Sequence, residues 1–128
     1  RLSRELLEGA RLARSTALAD TGAVVTLRVE AADGGYRVAV LRDGTEHDGG
    51  TLPALRAGLA VRAGAATGSV TGAGPLELTY DGLGDVAVVR LGAVVGDAAA
   101  GVELTVSGEA DRIVCIHPTG FPHAAPCS

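Results

Sequence analysis

Aromatic side chains are nearly absent from this sequence. They make up 2% of its 128 residues, namely Tyr36, Tyr80 and Phe121, and neither Trp nor Met occurs. Any core must therefore be filled by Val, Leu and Ala. With 47% hydrophobic and 20% charged residues, the chain is too apolar to be intrinsically disordered and long enough to bury one core. A sugar-cleaving site is excluded by the same scarcity, since it needs an aromatic-lined groove.

Lysine is absent as well. All 11 basic residues are Arg, against 15 Asp and Glu, and the net charge is -4. A protein that binds nucleic acid mainly through phosphates is expected to be basic, so this balance argues against general nucleic-acid binding. No apolar run approaches the roughly 20 residues of a membrane span, and no signal peptide is visible. Because the sequence opens on Arg1, we expect it to be a fragment or a processed product.

The sequence signatures of catalysis are missing too. The G-x-S-x-G motif of a nucleophile elbow does not occur, and the glycine-rich residues 64–74 contain no Lys for a phosphate loop. The carboxylates Asp81 and Asp85 flank glycines, which favours a turn. We therefore expect no enzyme, no cofactor and no small-molecule substrate.

Two groups of residues resemble metal ligands. His47 stands between a Glu and an Asp, but no second ligand set follows at a metal spacing, so a solvated charged turn is favoured. Cys115, His117, His123 and Cys127 lack the closely spaced ligand pairs of zinc sites. A disulfide between the two cysteines in an oxidising compartment is favoured over zinc, and two unrelated free thiols are the remaining alternative. We expect no metal ion.

The first twenty residues predict one amphipathic helix. Apolar residues recur along one face at helical spacing, and we expect this face to pack against the rest of the protein. The face consists of Leu2, Leu6, Ala10, Ala13 and Ala17. On the opposite side, Arg4, Glu8 and Arg11 are spaced to form weak ion pairs. No capping residue precedes Leu2, so we expect the helix to be a cut piece of a longer one.

After Gly22 the hydrophobic period changes from 3.6 to 2, which predicts antiparallel strands. The predicted strands are residues 23–30, 36–42, 59–62, 75–80, 86–95, 102–106 and 110–117. Residues 31–35 are predicted to be a hairpin loop, residues 48–50 a turn and residues 63–74 a flexible connection.

The sum of these elements predicts an α+β fold. In it the N-terminal helix packs on an antiparallel β-sandwich of about seven short strands, and no βαβ alternation points to a parallel sheet. We expect a single domain over residues 1–128, divided into the helix at residues 1–21 and the β domain at residues 22–128.

Three short segments resemble one known family. Residues 3–17, SRELLEGARLARSTA, resemble the second half of the long helix of type IV pilin-like proteins, with its L-x-x-A-R-S/A-x-A pattern. Residues 76–86, LELTYDGLGDV, resemble a strand followed by F-x-x-x-G, with Tyr80 as the aromatic residue and Gly84 as the glycine. Residues 113–120, IVCIHPTG, resemble the closing strand and its S-P-T/S-G end, with His in place of Ser. Their combination is similar to the GspH/FimT class of minor pilins and pseudopilins.

The resemblance implies a structural role rather than a catalytic one. Proteins of this class begin with a leader that a membrane peptidase removes. An apolar half-helix follows, which anchors them in the inner membrane and later packs in a filament core. The implied function is a minor pilin or pseudopilin subunit of a type IV pilus or a type II secretion pseudopilus. Its partners would be other pilins or pseudopilins in the bacterial cell envelope, with this domain outside the cytoplasm, and the paired cysteines fit the pilus branch somewhat better.

DNA binding during uptake is the alternative function that the resemblance implies. DNA-binding FimT-like pilins carry a basic G-R-x-R end after the final strand, whereas residues 120–123 here read G-F-P-H. The remaining candidates for weak DNA contact are Arg112 and, as an imidazolium in mild acid, His123. Phe121 alone offers a ring for base stacking in this region. We therefore expect any DNA binding to be weak.

Overall fold

The computed structural model describes residues 1–53, 57–108 and 112–127. A single helix, α1 (Leu2–Ala19), precedes all the strands. All five residues of its predicted packing face are fully buried, because spacings of three and four residues bring them to the same side. The helix ends where the backbone N–H of Asp20 donates to the carbonyl oxygen of Thr16 at 3.1 Å.

The described residues form eleven strands in two antiparallel sheets. The strands of the first sheet are β1 (Val25–Ala32), β2 (Gly35–Arg42), β3 (Thr45–Leu52), β6 (Leu76–Tyr80), β7 (Val86–Leu91) and β8 (Val94–Val95), in the order β3-β2-β1-β6-β7-β8. Those of the second are β4 (Gly58–Ala63), β5 (Ala66–Ser69), β9 (Val102–Ser107), β10 (Arg112–Ile116) and β11 (Pro122–His123), in the order β11-β10-β9-β4-β5. Helix α1 contacts β1, β2 and β6 of one sheet and β10 and β11 of the other. This arrangement confirms the predicted α+β fold class.

The predicted number of about seven strands is too low. The largest omission is β3, whose sequence is polar and contains Gly49 and Gly50, so that it indicates a turn. It is instead an eight-residue edge strand held by backbone pairing with β2. Every side chain from Thr45 to Gly50 is exposed, and a strand that buries no face carries no alternating hydrophobic signal.

The other additional strands arise from short glycine turns and from the tail. Gly64, at φ 62°, turns the chain from β4 into β5, inside the predicted flexible connection. Gly92, at φ 59°, divides the predicted strand at residues 86–95 into β7 and β8. The tail pairs with β10 to form β11. The predicted start of the last strand, residues 110–111, lies outside the described residues.

Two hairpins of the first sheet turn on Asp-Gly pairs. Asp33 and Gly34 connect β1 to β2 with φ values of 53° and 72°, and Asp43 and Gly44 connect β2 to β3 with 52° and 80°. Two-residue hairpin turns of this kind require positive φ at both positions, which Asp and Gly tolerate. The predicted five-residue loop is therefore a two-residue turn, and the strands extend further towards it.

The core lies between the helix and the two sheets, and its side chains alternate along the strands. In β1, for example, Val25, Leu27 and Val29 are fully buried while the residues between them are half-buried. A buried polar contact joins the two sheets. The hydroxyl oxygen of Tyr36 in β2 accepts a hydrogen bond from the backbone N–H of Leu59 in β4 at 3.0 Å. This hydrogen bond links the two sheets at one point within the apolar core.

Candidate functional site

The three segments that carry the family resemblance meet at one place, which we call the motif junction. It consists of Arg14, Tyr80, Gly84, Thr119 and Gly120. Arg14 on α1 donates from Nε to the carbonyl oxygen of Thr119 at 3.0 Å. The backbone N–H of Val86 donates to the carbonyl oxygen of Pro118 at 2.9 Å. These bonds link the closing loop both to the helix and to the start of β7.

The glycines of the motif junction are required by geometry. Gly84 and Gly120 have φ values of 81° and 83°, a conformation that other L-residues adopt only under strain. A Cβ at Gly120 would overlap with the carbonyl oxygen of Gly84 and lie 3.2 Å from Cε2 of Tyr80. A Cβ at Gly84 would lie 3.2 Å from Cγ of Arg14 and of Leu18. Two backbones and the helix therefore approach more closely than side chains would allow.

Tyr80 fills the centre of the motif junction. Its side chain is 1% exposed, and its buried hydroxyl has no hydrogen-bond partner among the described residues. Burial raises the pKa of the Tyr80 phenol above its ordinary value of 10.0, because the phenolate would lose its hydration. The family pattern has Phe at this position, and a Phe side chain has no hydroxyl group that requires a hydrogen-bond partner. The arrangement therefore serves packing, and it brings no reactive pair of groups together.

Cys115 and Cys127 form a disulfide that joins β10 to the tail, with their Cα atoms 5.0 Å apart. Cys115 is fully buried, and the backbone N–H of Cys127 donates to Oε2 of Glu103 at 3.1 Å. Beside the disulfide, Nε2 of His117 lies 2.6 Å from Nδ1 of His123, so the two rings share a hydrogen bond. Across the described ranges, no three His, Cys, Asp or Glu side chains are grouped to hold a metal ion.

His47 lies in a strand and not in the predicted turn. The pairing of β3 with β2 skips this residue, since Glu46 pairs with Leu41 and Asp48 with Val40, so His47 occupies a β-bulge. The Glu46 carboxylate is already held in an ion pair with the Arg37 guanidinium. The Glu46 carboxylate is therefore engaged away from His47, and His47 belongs to no group of three metal-binding side chains among the described residues.

The exposed side of α1 is charged. Arg4, Glu8 and Arg11 lie there, and the ion pairs that their spacing allows are not formed among them. In the part of the chain that the structure describes, no helix combines the length and apolar character needed to cross a membrane.

A groove of about 380 Å³ runs between α1 and β10. We call it the arginine groove, and its lining consists of Arg1, Ser3, Arg4, Leu7, Glu8, Arg11, Arg112, Ile113, Val114 and Ala124. Arg112, one of the predicted DNA-contact candidates, therefore shares this groove with Arg4 and Arg11 of the helix. The sequence analysis did not predict that these three arginines lie together. The sequence feature that indicated part of this cluster is the seven-residue spacing of Arg4 and Arg11, which places both on one side of the helix. The other candidate, His123, is instead hydrogen-bonded to His117.

One helix packed across two antiparallel sheets, with a closing loop fixed to the helix, defines a pilin-like fold. The sequence model of the family described as Type II transport protein GspH matches residues 2–120, a range that includes α1, the first ten strands and the motif junction. The chain belongs to this GspH family. The match confirms the resemblance that the three segments carry. No curated protein and no solved structure shows a significant match to the chain.

Proposed function

We propose that the protein is a pseudopilin subunit of a type II secretion machinery in the bacterial cell envelope. It acts by assembling with other subunits and not by catalysis. The observation that carries the proposal is the GspH family match over residues 2–120. The fold supports it, because a helix fixed to two sheets forms a rigid unit that can pack against other subunits.

The contacts of α1 explain how binding of a neighbouring subunit to the helix would set the orientation of the β domain. Its apolar face is buried on the sheets, while Arg4, Glu8 and Arg11 remain exposed to a neighbour. The bond from Arg14 to Thr119 and the contact of Gly84 with Gly120 hold the helix end to the closing loop. A neighbour that binds the exposed side of α1 therefore orients the whole β domain.

The sequence of the gene upstream of residue 1 gives the first test. We expect about thirty codons there to encode a prepilin leader with a Gly-Phe junction, followed by an apolar run of roughly 20 residues that anchors the subunit in the inner membrane. A cytoplasmic start at that place would contradict the proposal.

The decisive experiment uses the full-length protein in the source bacterium. Deletion of the gene is expected to abolish type II secretion, and the wild-type gene to restore it. A photo-crosslinking residue at Ser15, exposed on α1, should crosslink to other pseudopilins, whereas one at Thr45 on the exposed edge strand β3 serves as the matched control. Normal secretion combined with loss of pilus function would overturn the type II assignment in favour of a pilus.

A further inference from the structure

The arginines that the structure describes differ in their partners. Four of them are ion-paired with Asp or Glu, namely Arg28, Arg37, Arg42 and Arg62. Arg14 donates to a backbone carbonyl instead, and Arg90 on β7 has no ion pair among the described residues. Arg4, Arg11 and Arg112 likewise form no ion pair with any residue that the structure describes, and all three line the arginine groove. Arg1 also lines the groove but has a contact of its own. The single Glu8 carboxylate offsets only part of the charge of the three arginines, so the groove attracts an anionic group.

The arrangement of these charges selects a particular shape of ligand. Arg4 and Arg11 are two helical turns apart, about 10.5 Å along the axis at 1.5 Å per residue. Between them Leu7 is half-buried, and the half-buried Ile113 of β10 also lines the groove, so these two side chains give a largely polar groove an apolar patch. Of the described lining residues, Glu8 is the one carboxylate, which leaves the groove positively charged.

We propose that the arginine groove receives a helix of a neighbouring pseudopilin subunit that presents carboxylates seven residues apart. Carboxylates at that spacing on a helix repeat every two turns, as Arg4 and Arg11 do. Each guanidinium donates charge-assisted hydrogen bonds to a carboxylate, and aliphatic residues between the carboxylates cover the apolar lining. This inference rests on the proposed function, since it names the surface through which such a subunit contacts its neighbour.

A nucleic acid suits the groove less well. Three arginines neutralise about three phosphates, whereas protein–DNA affinity at physiological salt typically rests on six to ten phosphate contacts. The lining also contains no aromatic side chain on which a base could stack.

The test is an NMR titration of the folded chain with two helical peptides at low salt. The first is alanine-rich and carries three glutamates seven residues apart. The second has the same composition with glutamates five residues apart, which places them on different faces. We expect the first peptide to shift the backbone signals of α1 and of the start of β10, and to bind about tenfold more tightly than the second.

Two variants locate the binding. The double variant Arg4→Gln/Arg11→Gln should weaken binding of the first peptide about tenfold without lowering the melting temperature, because both side chains are exposed. Arg90→Gln, which removes an exposed arginine on β7 without an ion pair among the described residues, should leave it unchanged. Equal binding of the two peptides, no binding, or tighter binding of a thymidine oligonucleotide through the same arginines would each overturn the inference. The secretion phenotype of the deletion is a separate readout, so the inference can fail while the proposed function stands.

Discussion

Gly120 lies directly against the backbone of Gly84, so closely that a Cβ on Gly120 would overlap with the Gly84 carbonyl oxygen. The first glycine follows the last strand of the family pattern and the second follows its aromatic residue. Arg14 closes the same junction from the helix through its bond to Thr119. Each of the three segments therefore holds another in place, and a change in one is expected to loosen the helix from the sheets.

Replacing Gly120 tests this contact. Gly120→Ala is expected to lower the free energy of unfolding by about 2–4 kcal/mol, because it combines a strained positive φ with overlap against a backbone that cannot rotate away. The measurement is chemical denaturation followed by circular dichroism. Gly50→Ala is the matched control, since a Cβ there meets nothing within 4 Å and its effect should stay near zero. Equal stability of the two variants would show that the motif junction can accommodate a methyl group at position 120.

The two tyrosines are expected to respond in opposite ways to loss of the hydroxyl. Tyr36→Phe removes the acceptor of the Leu59 N–H between the sheets and should cost about 1–3 kcal/mol, since a buried donor is left unpaired. Tyr80→Phe removes a hydroxyl without a partner among the described residues and should be neutral or stabilising by up to about 1 kcal/mol. Denaturation of both variants in parallel decides this. A loss of stability in Tyr80→Phe would reveal a partner for that hydroxyl.

Tyr80 also makes stability depend on alkaline pH. Its pKa is raised in the folded protein by burial, so below the ordinary tyrosine value of about 10 both folded and unfolded states keep the proton. Above that pH the unfolded state ionises first, and stability falls by up to about 1.4 kcal/mol per pH unit. Unfolding free energies from pH 8 to pH 11 should therefore decline less steeply for Tyr80→Phe than for the wild type. If the unfolding free energies of the two proteins declined equally with pH, the alkaline loss of stability would not come from Tyr80.

Much of this architecture could be predicted from residue patterns, and the exceptions have physical causes. The helix was predictable because Leu2, Leu6 and Ala10 repeat at helical spacing, and all three are buried. Strand β1 was predictable because its buried and half-buried residues alternate. Strand β3 was not, because its side chains from Thr45 to Gly50 are exposed, so no buried face marks the strand in the sequence.

The surfaces were less predictable than the core. Nothing in the sequence around Arg112 shows that α1 lies beside it, because the packing of the first helix against the tenth strand is a long-range contact. The motif junction was predictable as three separate segments, yet the contact of Gly84 with Gly120 depends on how the closing loop returns to the helix. Local periodicity determines which face is buried, but it does not determine which distant element covers that face.

The disulfide is expected to contribute measurably to stability. Cys115 and Cys127 are twelve residues apart, and closing a ring of about that length stabilises by up to roughly 3 kcal/mol through the unfolded state. Reduction should therefore lower the melting temperature of the wild type, while Cys115→Ala/Cys127→Ala should not respond to reductant. Mass spectrometry without reductant checks the bond itself. Two free thiols in protein from an oxidising compartment would refute the pairing.

DNA binding at physiological salt is expected to be weak, because few cations are available for phosphates. The net charge is -4, and both arginines of the G-R-x-R end are replaced. Besides Arg112, Arg4 and Arg11 are the other two arginines of the arginine groove without an ion pair among the described residues, while His123 is hydrogen-bonded to His117. Three phosphate contacts on duplex DNA give a salt slope of about -2.7, so affinity should fall roughly fortyfold between 50 mM and 200 mM salt.

A gel-shift titration at these two salt concentrations measures the slope directly. Arg112→Gln should reduce the residual low-salt binding, and Arg90→Gln, which makes the same charge change on β7, gives the contribution of net charge alone. Equal effects of the two variants would mean that the low-salt binding is non-specific attraction to the whole surface. Micromolar or tighter binding that persists at the higher salt would contradict the prediction, because three arginines cannot supply it. In that case DNA uptake, and not secretion, would become the leading interpretation of this subunit.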